Sequence, residues 1–223
     1  MFRKTAKALE AKIAHGLRAA EAFGAESPEI GLAEGIVAGT RIATHMGWRP
    51  VEAIAVGDEV MTFDHGMRPV AGVKRSQLWI GGGSCPVHLQ PLAVPVGALG
   101  NKTAMLLLPE QSVLVESDMA EAVYGDPFAL IPAAALVGYR GIDRITPHQR
   151  VEVVVLEFEE DEVIYANGSG LIHCASVHAD GIAALFDEEM PSYEALPLEM
   201  ARSIVSGLID EEETAHAYAY AAE

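Results

Sequence analysis

The chain has 223 residues, with 32 acidic against 15 basic side chains and a formal charge of −17. Half of its residues are apolar, so it is no disordered acidic tail, and one body with appendages is the natural organisation. The acidity argues against nucleic acid or an anionic membrane surface as the main partner, because Lys and Arg carry that affinity.

Charge is unevenly placed. Residues 1–21 carry +3 and residues 186–223 carry −9, with Arg202 the lone base of the second stretch. The layout expected from this asymmetry is an N-terminal helix over 1–30, a body over 31–178 and a helical acidic extension over 179–223. Cys85 and Cys174 are too few for a disulfide framework, and whether they pair is left open. No apolar run reaches the ~20 residues needed to span a bilayer. Lys7, Glu10, Lys12 and Arg18 break up the stretch where a secretory leader would lie. A cytoplasmic protein is expected, with export lacking a cleavable leader as the alternative.

In chain order, Phe2, Ala6, Leu9, Ile13, Leu17 and Ala20 share one helical face, which predicts a helix over 1–24. Residues 40–175 read as short strands: 40–44, 58–63, 69–74, 104–108, 112–115, 150–158 and 163–166. Gly, Pro and Asp turns separate them, at Met46-Gly47 and Asp64-His65-Gly66 among others. Gly81 to Ser84 reads as a flexible loop, and Pro127 to Leu136 as a short helix or turn. Pro197 suits a first helical turn, after which Leu198, Ala201, Val205 and Leu208 share a face. Asp210 to Glu213 sit badly at a helix C-terminus, so fraying is expected there and a mobile end beyond it.

Little of this carries obvious chemistry. Gly81 to Gly83 has neither P-loop nor dinucleotide-fingerprint spacing, and Ser169 is a turn serine. Cys85, His88, His173, Cys174 and His178 are weak zinc candidates of the right residue type. Adjacent His173 and Cys174 point opposite ways on a strand, which weakens the set. The carboxylates from Glu157 to Glu162 read as a solvated strand end and turn rather than a calcium loop. His45 and His65 read as exposed turn residues without a role. No cofactor is called for.

The stretch from Ala38 to Gly66 goes beyond generic β patterning. It contains Gly39-Thr40-Arg41-Ile42-Ala43-Thr44, then Arg49-Pro50-Val51-Glu52, then Val56-Gly57-Asp58-Glu59-Val60. It closely resembles the opening of bacterial Hedgehog/intein (Hint) domains. Val96 to Asn101 and Leu107 to Val115 resemble that family's central block, and Glu162 to Gly168 its closing strand. The resemblance implies a mainly β, horseshoe-like fold over about residues 35–175, with the helices flanking it. It also implies self-cleavage, in which a cysteine attacks its preceding peptide bond and a histidine helps the amine leave.

At the matched positions stand Gly35 for the cysteine and Gln111 for the histidine, while the motif residues Thr40 and Thr44 are retained. Glycine offers no nucleophile, and glutamine cannot cycle a proton near neutral pH. The expected function is therefore a degenerate Hint protein without self-cleavage, whose standing as an enzyme is left open, that acts as a binding or accessory module for a protein or peptide partner. The alternative is an autoprocessing Hint protein that uses Cys85 or Cys174. On this alignment, restoring Cys at 35 with His at 111 should return some thiol-dependent cleavage.

Overall fold

The computed structural model describes residues 34–78, 85–147, 150–178 and 193–221, with side chains as far as residue 214. The helix expected over 1–24 and the loop at Gly81 to Ser84 lie outside the described residues. The strands are β1 (Ile36–Val37), β2 (Arg41–Thr44), β3 (Gly47–Pro50), β4 (Glu59–Thr62), β5 (Gly66–Pro69), β6 (Gly72–Gln77) and β7 (Leu92–Val94). They continue as β8 (Met105–Leu107), β9 (Ser112–Glu116), β10 (Phe128–Pro132), β11 (Asp143–Arg144), β12 (Glu152–Glu157), β13 (Glu162–Ala166) and β14 (Gly170–Cys174). Two helices complete the described residues, α1 (Asp118–Tyr124) and α2 (Leu198–Ala221).

The first sheet runs β11-β7-β8-β1-β12-β6. The second runs β10-β9-β14-β13-β2-β4-β5, with β3 paired to β2. Both sheets pair antiparallel throughout, which suits a chain of short strands and tight turns. The architecture is mainly β, as the sequence predicts.

One core joins the sheets. Ile42, Val60, Leu156, Phe158, Ile164 and Ile172 are each 1% exposed or less within it. Each such side chain stabilises the fold by about 1.5–3 kcal/mol. Ala201, Ile204, Val205 and Leu208 of α2 join the same core. A separate cluster, Leu114, Leu130 and Val163, packs with half-buried Phe63, Phe128, Leu171 and Tyr193. Strand alternation sends these residues to the face of the second sheet away from the main core.

Four expectations change. Residues 128–132 form a strand, paired from Phe128↔Glu116 to Pro132↔Ser112, and only Ala133–Leu136 turns as a 3-10 helix. The unforeseen α1 starts where the Ser117 side chain accepts from Met119 N, and stops at Gly125, whose φ of 78° suits glycine. No fraying occurs at Asp210 to Glu213, and α2 continues to Ala221. Glu211 accepts from Ser117 Oγ and Met119 N, while Glu212 binds Tyr139 and Arg140, so tertiary partners outweigh the dipole. Finally, the acidic run links the two sheets, and Glu162 is buried at 1% exposure. His65 Nδ1 stands 3.0 Å from Glu162 Oε2 and Arg68 Nε 3.4 Å from Oε1, so His65 is no idle turn residue. A buried carboxylate persists only when paired in this way.

Candidate functional site

Gly35 leads into β1, between β8 and β12, with a φ of +127°. A Cβ there would stand 2.6 Å from Val153 Cγ1 and 3.1 Å from Val155 Cγ2. Both the backbone conformation and the space therefore require glycine. Gln111 sits in the turn between β8 and β9, 1% exposed. Its Oε1 accepts from Gly35 N at 3.0 Å. Its Nε2 donates to His173 O at 2.8 Å and Ser112 O at 3.1 Å. The amide orientation is chemically fixed, since an N–H faces the oxygen and two carbonyls face the nitrogen.

The retained threonines serve the backbone. Thr40 is buried, and its carbonyl accepts from Val51 N at 2.8 Å. Thr44 Oγ1 donates to Gly47 O at 2.7 Å and accepts from Met46 N at 3.2 Å, closing the β2–β3 hairpin. Asn167, φ +49°, accepts through Oδ1 from Arg41 N at 2.6 Å and donates to Thr103 and Ala104 carbonyls. It ties β2 to the closing strand.

Cys85 and Cys174 are both buried and unpaired. Cys85 Sγ lies 3.7 Å from Pro86 O, and burial pushes its thiol up. His88 is exposed on a 3-10 turn nearby. Cys174 lies at the far end of β14, opposite Glu162. Burial pushes its thiol well up, and the carboxylates of Glu34 and Glu162 push it further. His173 points to the other face, its ring edge-on to Tyr193 at 5.9 Å. Its Nε2 is buried without a partner, and burial holds its pKa below the usual range, against a smaller upward pull from Asp161. His178 pairs with Glu159 at the surface, 3.6 Å apart. The five cysteines and histidines do not converge. Among the described residues no group of three or more His, Cys, Asp or Glu could hold a metal ion. What the fold does bring together is Gly35, Gln111 and the His173 carbonyl, with Cys174 close enough to feel Glu34.

The β architecture built around this junction matches the family model of the Hint domain over residues 35–178. The chain belongs to this family. A comparison with curated proteins gives no match. Among solved structures, this Hint domain is similar to a bacterial intein-like domain from Clostridium thermocellum. That pair shows 15% identity, coverage of 63% of this chain and 98% of that one, and a TM-score of 0.45. It is also similar to the gp41-1 intein, with 13% identity, coverage of 64% and 98%, and a TM-score of 0.38. The MchDnaB-1 intein gives 15%, coverage of 62% and 98%, and 0.39.

A second feature of this Hint domain was hidden from sequence reasoning. On the outer face of the second sheet, Phe63 meets Phe128 edge-on, ring centroids 5.0 Å apart, and Tyr165 at 6.4 Å. Beside these rings open two hollows of about 660 and 390 Å³, which share Phe63, Leu114 and Phe128 in their walls. Tyr139 and Arg140 stand at the end of the larger hollow. Burial, then the bond to Glu212, pushes the Tyr139 hydroxyl up to about 12. The rings come from β10, β13 and the turn after β4, all distant in sequence, and only the outward phase of β13 and β10 hints at the grouping.

Proposed function

We propose that this Hint domain does not cleave itself and serves as a binding or accessory module. The observation that carries this reading is the contact between Gly35 N and Gln111 Oε1. Self-cleavage before residue 35 needs a nucleophile at that residue and a proton donor at its nitrogen. Gly35 has no nucleophile, and Val153 fills the space where one would start. Gln111 turns an acceptor toward the nitrogen, so it cannot supply the proton.

Cys174 gives the alternative its one supporting observation, because its thiol lies within the electrostatic reach of Glu34, next to the junction. Burial and two carboxylates hold that thiol protonated, and the thiolate is the attacking species. The non-cleaving reading is therefore preferred. Incubating the full chain with dithiothreitol or hydroxylamine and recording intact mass tests it. The full-length mass is expected to persist. A fragment beginning at Gly35 would overturn the reading, and its loss in Cys174→Ala would establish the alternative.

No helix among the described residues is long and apolar enough to cross a membrane. The binding role accordingly needs a surface, and the junction offers none, since Gln111 is sealed inside.

A further inference from the structure

The outer face of the second sheet combines three properties. Its floor is apolar and aromatic: Leu114, Phe63, Phe128, Tyr165 and Leu171. Its two hollows adjoin, sharing Phe63, Leu114 and Phe128 in their walls. Its rim is acidic, with Asp64, Asp126 and Glu194 lining the smaller hollow and Glu116, Glu211 and Glu212 the larger. Among the described residues Arg140 is the sole Lys or Arg lining either hollow, and Glu212 already engages it.

We propose that this groove binds an extended segment of a partner protein in which apolar residues alternate with lysine or arginine. The inference rests on the non-cleaving, binding-module reading and names the partner for it.

Aromatic faces take up apolar side chains and also attract cations lying over them. Most rim carboxylates already have work within the fold. Asp64 accepts from Tyr193, Asp126 from Phe128 N, Glu211 caps α1 and Glu212 holds Arg140. The side chains of Glu116 and Glu194 make no hydrogen bond or ion pair among the described residues. Glu116 lines the larger hollow and Glu194 the smaller, and both are exposed to incoming cations. A chain charged to −17 repels a second copy of itself, so self-association is the poorer occupant. A single small amine would meet one of these two carboxylates only, because they line different hollows. An extended peptide sends alternate side chains down and away. Its apolar residues then reach the rings, while long Lys or Arg stems lean out to the carboxylates.

The test uses the full chain and a fluorescein-labelled nonapeptide alternating lysine with leucine, read by fluorescence anisotropy. The control peptide carries glutamate in place of every lysine. The lysine peptide is expected to saturate, and the glutamate peptide to show no binding. Glu116→Lys with Glu194→Lys should weaken binding by about tenfold or more. Glu59→Lys with Glu110→Lys makes the same charge change at exposed positions outside the groove and should weaken it by less than about threefold. Phe63→Ala, with its fold checked by circular dichroism, should weaken binding by about tenfold. Equal losses in the two charge-reversed pairs would overturn the groove in favour of diffuse charge attraction. Competition by spermidine as strong as by unlabelled peptide would overturn the peptide assignment in favour of a small amine. A dimer in sedimentation that the lysine peptide disperses would give the groove to a second copy. The mass assay above is read separately, so loss of peptide binding and self-cleavage cannot be confused.

Discussion

The same two strands, β9 and β14, build two regions of opposite character. Just before β9 begins, Gln111 is sealed inside and holds Gly35 N, Ser112 O and the His173 carbonyl. Along the outer face of those strands, Leu114 and Leu171 floor an open groove rimmed by carboxylates. At the junction every amide atom of Gln111 has a partner within the fold. In the groove, the side chains of Glu116 and Glu194 have none among the described residues. The difference teaches that resemblance to a family locates the matched junction positions but not an open surface elsewhere on the fold. A saturated hydrogen-bond set stabilises and closes, whereas unpaired charge over an apolar floor is left for a partner.

The largest effect expected is at Gly35. Gly35→Cys must overcome a φ of +127° and a Cβ contact of 2.6 Å with Val153. A loss of about 3–5 kcal/mol is expected in urea unfolding. This also reverses the sequence-based expectation for Gly35→Cys combined with Gln111→His. That pair should yield no thiol-dependent fragment, because the new thiol displaces the wall that positions it. Cleavage in a folded double variant would break the comparison by showing a junction that adapts.

Gln111→Leu comes next. It leaves the Gly35 N–H and the His173 carbonyl buried and unpaired, at a cost of about 2–4 kcal/mol. Gln111→Glu sharpens the point, since a carboxylate can accept from Gly35 N but cannot donate to two carbonyls. It should destabilise more at pH 8 than at pH 4, where protonation restores a donor. Equal losses at both values would show that the carbonyl bonds contribute little.

Much of the fold was legible because it depends on local pattern. Alternation at 58–63 and 150–158, with Gly and Asp turns between, marked β4 and β12 to within two residues at either end. The block from Gly39 to Asp58 pointed to the Hint family. What was hidden depends on partners far along the chain. Phe128 to Ile131 is a short apolar run that suits helix or strand equally, and pairing with β9 decides it. Glu162 looked solvated because His65, its partner, lies 97 residues away. The end of α2 was misread for the same reason, since Ser117 and Tyr139 lie in other elements. Gly35 and Gln111 could be singled out from the sequence, but their mutual hydrogen bond could not. The groove was invisible, since Phe63, Phe128 and Tyr165 meet only after the second sheet has assembled.

The groove end of the comparison has its own pH signature. Tyr139 titrates near 12 in the fold, above the ordinary value near 10, so the native state favours its neutral form. Its contribution is complete below pH 10. It declines as pH rises from about 10 towards 12, because the unfolded chain ionises first. Tyr139→Phe removes the bond to Glu212 at neutral pH, a loss of about 0.5–1.5 kcal/mol, and should flatten the alkaline decline. An unchanged alkaline slope would assign that decline to other groups.

The smallest effect on stability carries the sharpest contrast. Glu116→Lys and Glu194→Lys change exposed residues whose side chains make no hydrogen bond or ion pair among the described residues. Each should leave urea unfolding within about 0.5 kcal/mol of the parent. The pair together should nevertheless weaken the lysine–leucine peptide by about tenfold. Gln111→Leu should do the reverse, with a large stability loss and unchanged peptide affinity in the folded fraction. Stability and binding would then separate along one strand, with structure held at the start of β9 and recognition at its outer face. If the two rim reversals cost as much stability as Gln111→Leu, those carboxylates serve the fold after all, and the contrast between the two regions collapses.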